Sequence, residues 1–270
     1  MTRIGCMFQR RRKALIAYLT AGDPSPARTP ALVEALVRGG ADLIELGVPF
    51  SDPIADGPVI QRAGERALKA GTTLDSVLSI AREIRARSEV PLLLFTYLNP
   101  VLRYGLDRLA ADAASSGIDG CLLTDASVEE AESYVAAMHR HGLDTVFLAA
   151  PTSTPRRLKL VAQYSTGFVY LVSRTGVTGE RDSLSASVAP LIQSVRAITH
   201  LPLAVGFGIS KPEHVAELAP QVDGVAVGSA IVRIIERGAD DRLSSSAHPP
   251  LESQLESYAR SLKAAFGAFS

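Results

Sequence analysis

The stretch 41-ADLIELGVPFSDPIADGP-58 places a carboxylate, Glu45, inside an otherwise apolar run. It follows it with Asp52 and Asp56 on a segment stiffened by Pro49, Pro53 and Pro58. An ionised carboxylate in apolar surroundings is costly, so burial drives its pKa upward, into the range where a general acid or base works at neutral pH. The competing reading of Glu45 is a structural carboxylate paired to a buried Arg or Lys, but the adjoining apolar runs carry no basic residue. Asp56 reads two ways: as a second catalytic carboxylate beside Glu45, or as a solvated turn residue or helix N-cap, since 56-DGP-58 precedes a helical pattern. Asp52 sits in Ser-Asp-Pro, a common turn.

Other residues are suited to binding. The turns 206-GFGIS-210 and 228-GSA-230 expose backbone N–H groups, and the second opens a helix whose dipole favours an anion without help from Lys or Arg. Taken singly, either glycine pair could also relieve crowding at a strand end. The polar segment 173-SRTGVTGERDS-183 reads as a surface loop or as a lid that closes over substrate, and we adopt the lid. Lys13 precedes a strand at its wrong end, while Lys69, Lys159, Lys211 and Lys263 lie in or start helices, so no Schiff-base lysine is expected. His139, His141, His200, His214 and His248 fall on helices, at the leading end of a strand and in a linker, so no zinc cluster is expected. Carbon–carbon cleavage here would need a leaving group that is itself an electron sink, with carboxylates moving protons.

What must position these groups is a series of eight short apolar runs: 14–20, 42–48, 90–97, 119–125, 144–150, 167–173, 201–208 and 223–229. They are continuous rather than alternating, as strands buried on both faces of a parallel sheet are. Helical patterns lie between them, several ending in Gly. A weak repeat, GAD at 40–42, GID at 117–119 and VDG at 222–224, marks one helix-to-strand turn used again. The pattern predicts a single (β/α)₈ barrel domain over 1–270, of the α/β class with parallel strands. It adds an extra helix after strand two and a short helix after strand eight. An open doubly wound sheet would want a glycine-rich fingerprint after the first strand, and 20-TAGDPSP-26 is not one. In such a barrel the active site lies at the C-terminal ends of the strands, and the loops after strands seven and eight bind phosphate. Both glycine turns fall there.

Lys+Arg and Asp+Glu each number 28, which argues against nucleic acid or an anionic membrane as partner. The basic run 10-RRR-12 reads as a solvated tail. Two cysteines, Cys6 and Cys121, fit a reducing compartment, and no apolar run reaches membrane-spanning length, so a cytoplasmic location is expected.

The strings 18-YLTAGDP-24, 43-LIELGVPFSDPIADGPVIQ-61, 170-YLVSRTGVTG-179, 206-GFGIS-210 and 228-GSAIV-232 closely resemble the α subunit family of tryptophan synthase. The resemblance implies a (β/α)₈ barrel that cleaves indole-3-glycerol phosphate to indole and glyceraldehyde 3-phosphate. It implies no cofactor in this chain, and a β subunit that carries pyridoxal phosphate, receives the indole and joins it in an α2β2 assembly. By motif, Glu45 would move protons at the glycerol hydroxyl and ring C3, Asp56 would hold the indole N–H, and Tyr170 would be the active-site tyrosine. Phe95, Leu122 and Phe207 would line the indole pocket. Gly179, Gly208, Gly228 and Ser229 would cradle phosphate, and Arg174 and Thr178 would belong to the lid. Two apolar loops, 49–58 and 98–105, would face the β subunit. The chain departs from the family where Ala17 and Ser127 replace common prolines and where the linker 239–250 is long and polar. A stand-alone lyase that releases free indole, or a non-catalytic activator of the β subunit, would be the alternatives.

Overall fold

A computed structural model of the chain describes residues 2–10, 13–172, 184–239 and 249–267, with backbone alone at 184–187. Eight parallel strands close into a barrel in chain order: β1 (Ala14–Thr20), β2 (Leu43–Gly47), β3 (Leu92–Thr96), β4 (Gly120–Leu123), β5 (Asp144–Ala149), β6 (Val169–Val172), β7 (Leu203–Gly206) and β8 (Gly224–Val227). Around them run α1 (Arg3–Arg10), α2 (Thr29–Arg38), α3 (Pro58–Lys69), α4 (Leu74–Arg85), α5 (Leu98–Tyr104), α6 (Leu106–Ser115), α7 (Glu132–Arg140), α8 (Pro155–Tyr164), α9 (Leu184–Arg196), α10 (Pro212–Leu218), α11 (Ser229–Ala239) and α12 (Leu251–Ala264). The extra helix after β2 is α3. The helix after β8 is α11, 11 residues long.

Strand side chains alternate between two cores, because successive Cβ atoms point to opposite faces. On β1, Leu15, Ala17 and Leu19 pack outward against the helices, while Ala14, Ile16 and Tyr18 point into the barrel. On β2, Ile44 and Leu46 pack outward and Leu43 points in. Glu45 shares Leu43's face, so the same periodicity that builds the barrel aims its carboxylate inward.

The repeated aspartates are structural. Asp42 accepts the Leu15 N–H at 2.8 Å and the Lys263 ammonium at 2.7 Å. Asp119 accepts the Leu92 N–H and the Arg85 guanidinium, each at 2.9 Å. Asp223 accepts the Leu203 N–H at 2.8 Å and pairs with Arg196. Each carboxylate leads one strand, ties down the start of the strand before it, and holds a cation from a helix outside the barrel. The final seam joins β8 to β1, where the Ala14 N–H reaches Asp223 O at 2.8 Å and Lys13 Nζ reaches Val222 O at 2.6 Å.

One expectation needs revision. The segment 98–105 is mostly helix, α5, with Val101 fully buried and Leu102 exposed. Pro100 is tolerated because it lies in the first turn, where N–H groups have no intrahelical acceptor. The arm that precedes the basic run 10–12 packs into the fold. Ile4 and Met7 of α1 join the interior cluster with Phe168, and Arg3 pairs with Glu89 and Asp119. Arg10 is exposed, while Arg11 and Arg12 lie outside the described residues.

Candidate active site

At the C-terminal ends of the strands lies an open cleft of about 530 Å³ lined by Tyr18, Glu45, Phe95, Tyr170, Phe207, Gly208, Gly228 and Ser229, with Ile60, Ile209, Ser210, Ala226 and Arg233. Glu45 is 1% exposed, and its Oε1 has no hydrogen-bond partner. Burial without a counter-charge pushes its carboxyl up to about 8. The paired-carboxylate reading therefore fails, since no cation meets it.

Two tyrosines flank it. Tyr18 pairs with Glu45 across the β1–β2 register, and its ring meets Phe95 edge-on at 5.2 Å. Tyr170 on β6 meets Phe207 edge-on at 5.9 Å. Burial, and then the Glu45 charge, push the Tyr170 hydroxyl well above its ordinary pKa, which keeps it a neutral donor. Both hydroxyls lie over glycine. A Cβ on Gly47 would come 2.2 Å from Tyr18 Oη, and one on Gly206 would come 2.0 Å from Tyr170 Oη. The glycines that end β2 and β7 are thus what let these rings lie across the barrel mouth.

Asp56 stands on the loop between β2 and α3. Its backbone N–H returns to Pro53 O at 3.1 Å, and Gln61 Nε2 holds its carbonyl at 2.8 Å. Tyr97 braces the same loop, accepting the Ala55 N–H at 3.1 Å and hydrogen-bonding the Asp56 carboxylate. Burial raises the Asp56 carboxyl to about 6 against that hydrogen bond. The helix cap of α3 is Gly57, so Asp56 is not the cap. Its charge is felt at Tyr18.

The two glycine turns meet on one side of the cleft. Phe207 and Gly208 both adopt positive φ, 72° and 81°, which turns the chain back after β7. Tyr258 of α12 holds that turn by donating to Ser210 O at 2.8 Å. Opposite it, α11 begins at Ser229, and its first-turn N–H groups are open to an anion.

Leu122 is fully buried in the interior cluster with Phe95 and Tyr170 and is not among the residues that line the cleft. Arg174, Thr178 and Gly179 lie outside the described residues, as does the segment 173–183. Sequence reasoning did not single out Tyr18, Ile60, Tyr97, Ser210 or Arg233. The inward parity of β1 points to Tyr18, and the four-residue spacing from Ser229 points to Arg233. Among the described residues, no group of three or more His, Cys, Asp or Glu could hold a metal ion, and no helix is long and apolar enough to cross a membrane.

The profile of the family described as tryptophan synthase alpha chain matches residues 6–264. A relative of that name from Solibacter usitatus is 80% identical over 99% of both chains, and one from Geobacter sulfurreducens is 51% identical over 88% of this chain and 91% of its own. The crystal structure of tryptophan synthase alpha chain from Legionella pneumophila superposes with a TM-score of 0.88 at 35% identity, covering 99% of each chain. A chain of the tryptophan synthase α2β2 complex from Pyrococcus furiosus superposes at 0.83 with 42% identity, covering 93% of this chain and 97% of that one.

Proposed function

The chain belongs to the tryptophan synthase alpha chain family, and from that premise we propose that the Glu45 cleft carries the family's lyase step. In that step indole-3-glycerol phosphate undergoes retro-aldol cleavage to indole and glyceraldehyde 3-phosphate. The observation that carries the assignment is the buried, unpartnered Glu45 beside a second carboxylate of different proton affinity. At neutral pH Glu45 holds a proton and Asp56 is mostly ionised, the division of labour that acid–base chemistry needs.

Glu45 gives its proton to ring C3, which makes the ring an electron sink. Asp56 accepts a hydrogen bond from the ring N–H and balances the positive charge that develops there. The C3–glycerol bond then breaks, and its electron pair returns to the ring. The glycerol hydroxyl passes its proton to the Glu45 carboxylate as the aldehyde forms, so Glu45 ends the cycle as it began. Tyr170, Phe95 and Phe207 hold the indole face, while Gly208, Gly228 and Ser229 hold the phosphate through backbone N–H groups. Arg174, Thr178 and Gly179 would contribute from the lid.

Indole passes to a β subunit, which carries the pyridoxal phosphate, within an α2β2 assembly. We place the work in the cytoplasm, where free Cys6 and Cys121 stay reduced. The test is indole release from indole-3-glycerol phosphate by the purified chain, with and without β subunit. Release that rises with the partner supports this reading. Fast release that ignores the partner identifies a stand-alone lyase, and no release under either condition leaves only an activator.

A further inference from the structure

Arg233 stands on the cleft wall with Gly208, Ser210, Gly228 and Ser229. It follows Ser229 by four residues on α11, so the two share one helix face. Helical side chains lean toward the N-terminus, which carries the guanidinium back over the first turn, where the open N–H groups lie. Its charge is also felt at Tyr258, whose hydroxyl holds Ser210 O on the opposite turn. The guanidinium therefore lies near both glycine turns. The neighbouring cations of α3 are occupied: Arg62 pairs with Glu236, and Arg66 with Asp23 and Glu236. Among the described residues Arg233 makes no ion pair. A cation leaning over the positive end of a helix is electrostatically misplaced unless an anion lies between them.

We propose that Arg233 is the charge partner of the substrate's phosphate, and that it makes the cleft select phosphorylated indole-glycerols over their neutral counterparts. This rests on the reading of the cleft given above. Backbone N–H groups supply direction, while the guanidinium adds a net charge that a neutral hydroxyl cannot answer. The contact is solvent-exposed, so it is modest and screened by salt. It is also equal in ground and transition states, because phosphate stays remote from the bond that breaks. It should therefore appear in KM and leave kcat alone.

The experiment compares wild type, Arg233→Gln and Arg233→Lys, each assembled with β subunit. It reads cleavage kinetics at low and high salt, and the Kd of glycerol 3-phosphate by calorimetry. Arg233→Gln should raise KM and Kd about two- to fivefold at low salt, with kcat unchanged. The gap should shrink at about 0.5 M salt, where the Debye length falls to a few ångströms. Arg233→Lys should recover most of the loss. An unchanged KM and Kd at low salt, or a fall in kcat without change in Kd, overturns the proposal. Gly228→Val is run alongside. If it raises KM while Arg233→Gln does not, the cleft reading stands and the role of Arg233 is wrong. If neither variant moves KM, the phosphate is held elsewhere and both readings fall.

Discussion

The proposed chemistry of this cleft rests on two carboxyls that the fold drives upward by different amounts. Glu45 sits near 8 and Asp56 near 6, so kcat/KM should be bell-shaped, rising as Asp56 ionises and falling as Glu45 loses its proton. A pH profile taken with substrate well below KM checks this, and a profile that stays flat from pH 5 to 9, with no loss on either side, would contradict the assignment. Glu45→Gln should cut turnover by about 10²–10⁴-fold while glycerol 3-phosphate still binds, since the phosphate turns lie on other strands. The same residue should affect stability. Its pKa is higher folded than unfolded, so between its ordinary value of 4.5 and about 8 the native state binds the extra proton. Stability is then fully present below that window and is lost as pH rises through it. Glu45→Gln, which cannot ionise, should therefore gain in Tm over wild type as pH is raised across the window, as calorimetry would show. Glu45 was legible because an acid in an apolar strand conflicts with its setting. Tyr18 and Arg233 raised no such conflict: a tyrosine suits a strand, and an arginine on a helix reads as solvated until the fold shows which face it occupies.

Among the elements, the strands were legible throughout, because burial on both faces leaves an uninterrupted apolar signature. Helix α5 was not. Asn99-Pro100 reads as a turn, and only the docking of Val101 into the outer core reveals a helix. The repeat at three strand starts was visible as a pattern, yet its physical content, a carboxylate shared between a backbone N–H and a cation, required coordinates. That sharing predicts a cost. Asp119→Ala would leave the Leu92 N–H without its acceptor and the Arg85 guanidinium without a counter-charge. Losing a buried paired carboxylate costs on the order of 3 kcal/mol. Urea unfolding should show that loss, while activity per folded molecule stays near normal because Asp119 leads β4 at its N-terminal end, whereas the cleft lies at the C-terminal ends of the strands. A parallel loss of kcat would mean the two ends are coupled.

At the scale of the whole molecule, Ile54 and Leu102 are the two most exposed large apolar residues among those described, 84% and 57% accessible. They mark the face we assign to the β subunit. Leu102→Asp should leave the isolated chain folded but shift the partner concentration for half-maximal indole release upward by tenfold or more, a ~1.4 kcal/mol effect; an unchanged titration would move the interface elsewhere. Because Ile54 shares its loop with Asp56, docking there would also order the carboxylate to which the proposed mechanism gives the indole N–H. The seam between β8 and β1 carries a different consequence. Every other pair of neighbouring strands is consecutive in the chain, whereas this one joins residues 209 apart, as Lys13 and Val222 are. Closing so long a loop is entropically the most demanding step, so the seam should zip last in folding and part first in native-state fluctuations. Amide hydrogen exchange should therefore be faster at Ala14, bonded to Asp223 across the seam, than at Ile44, bonded to Pro91. Tyr18 and Gly228 face each other over this same gap, so a bound phosphate ester would act as a stitch, slowing exchange at Ala14 while leaving Ile44 unchanged.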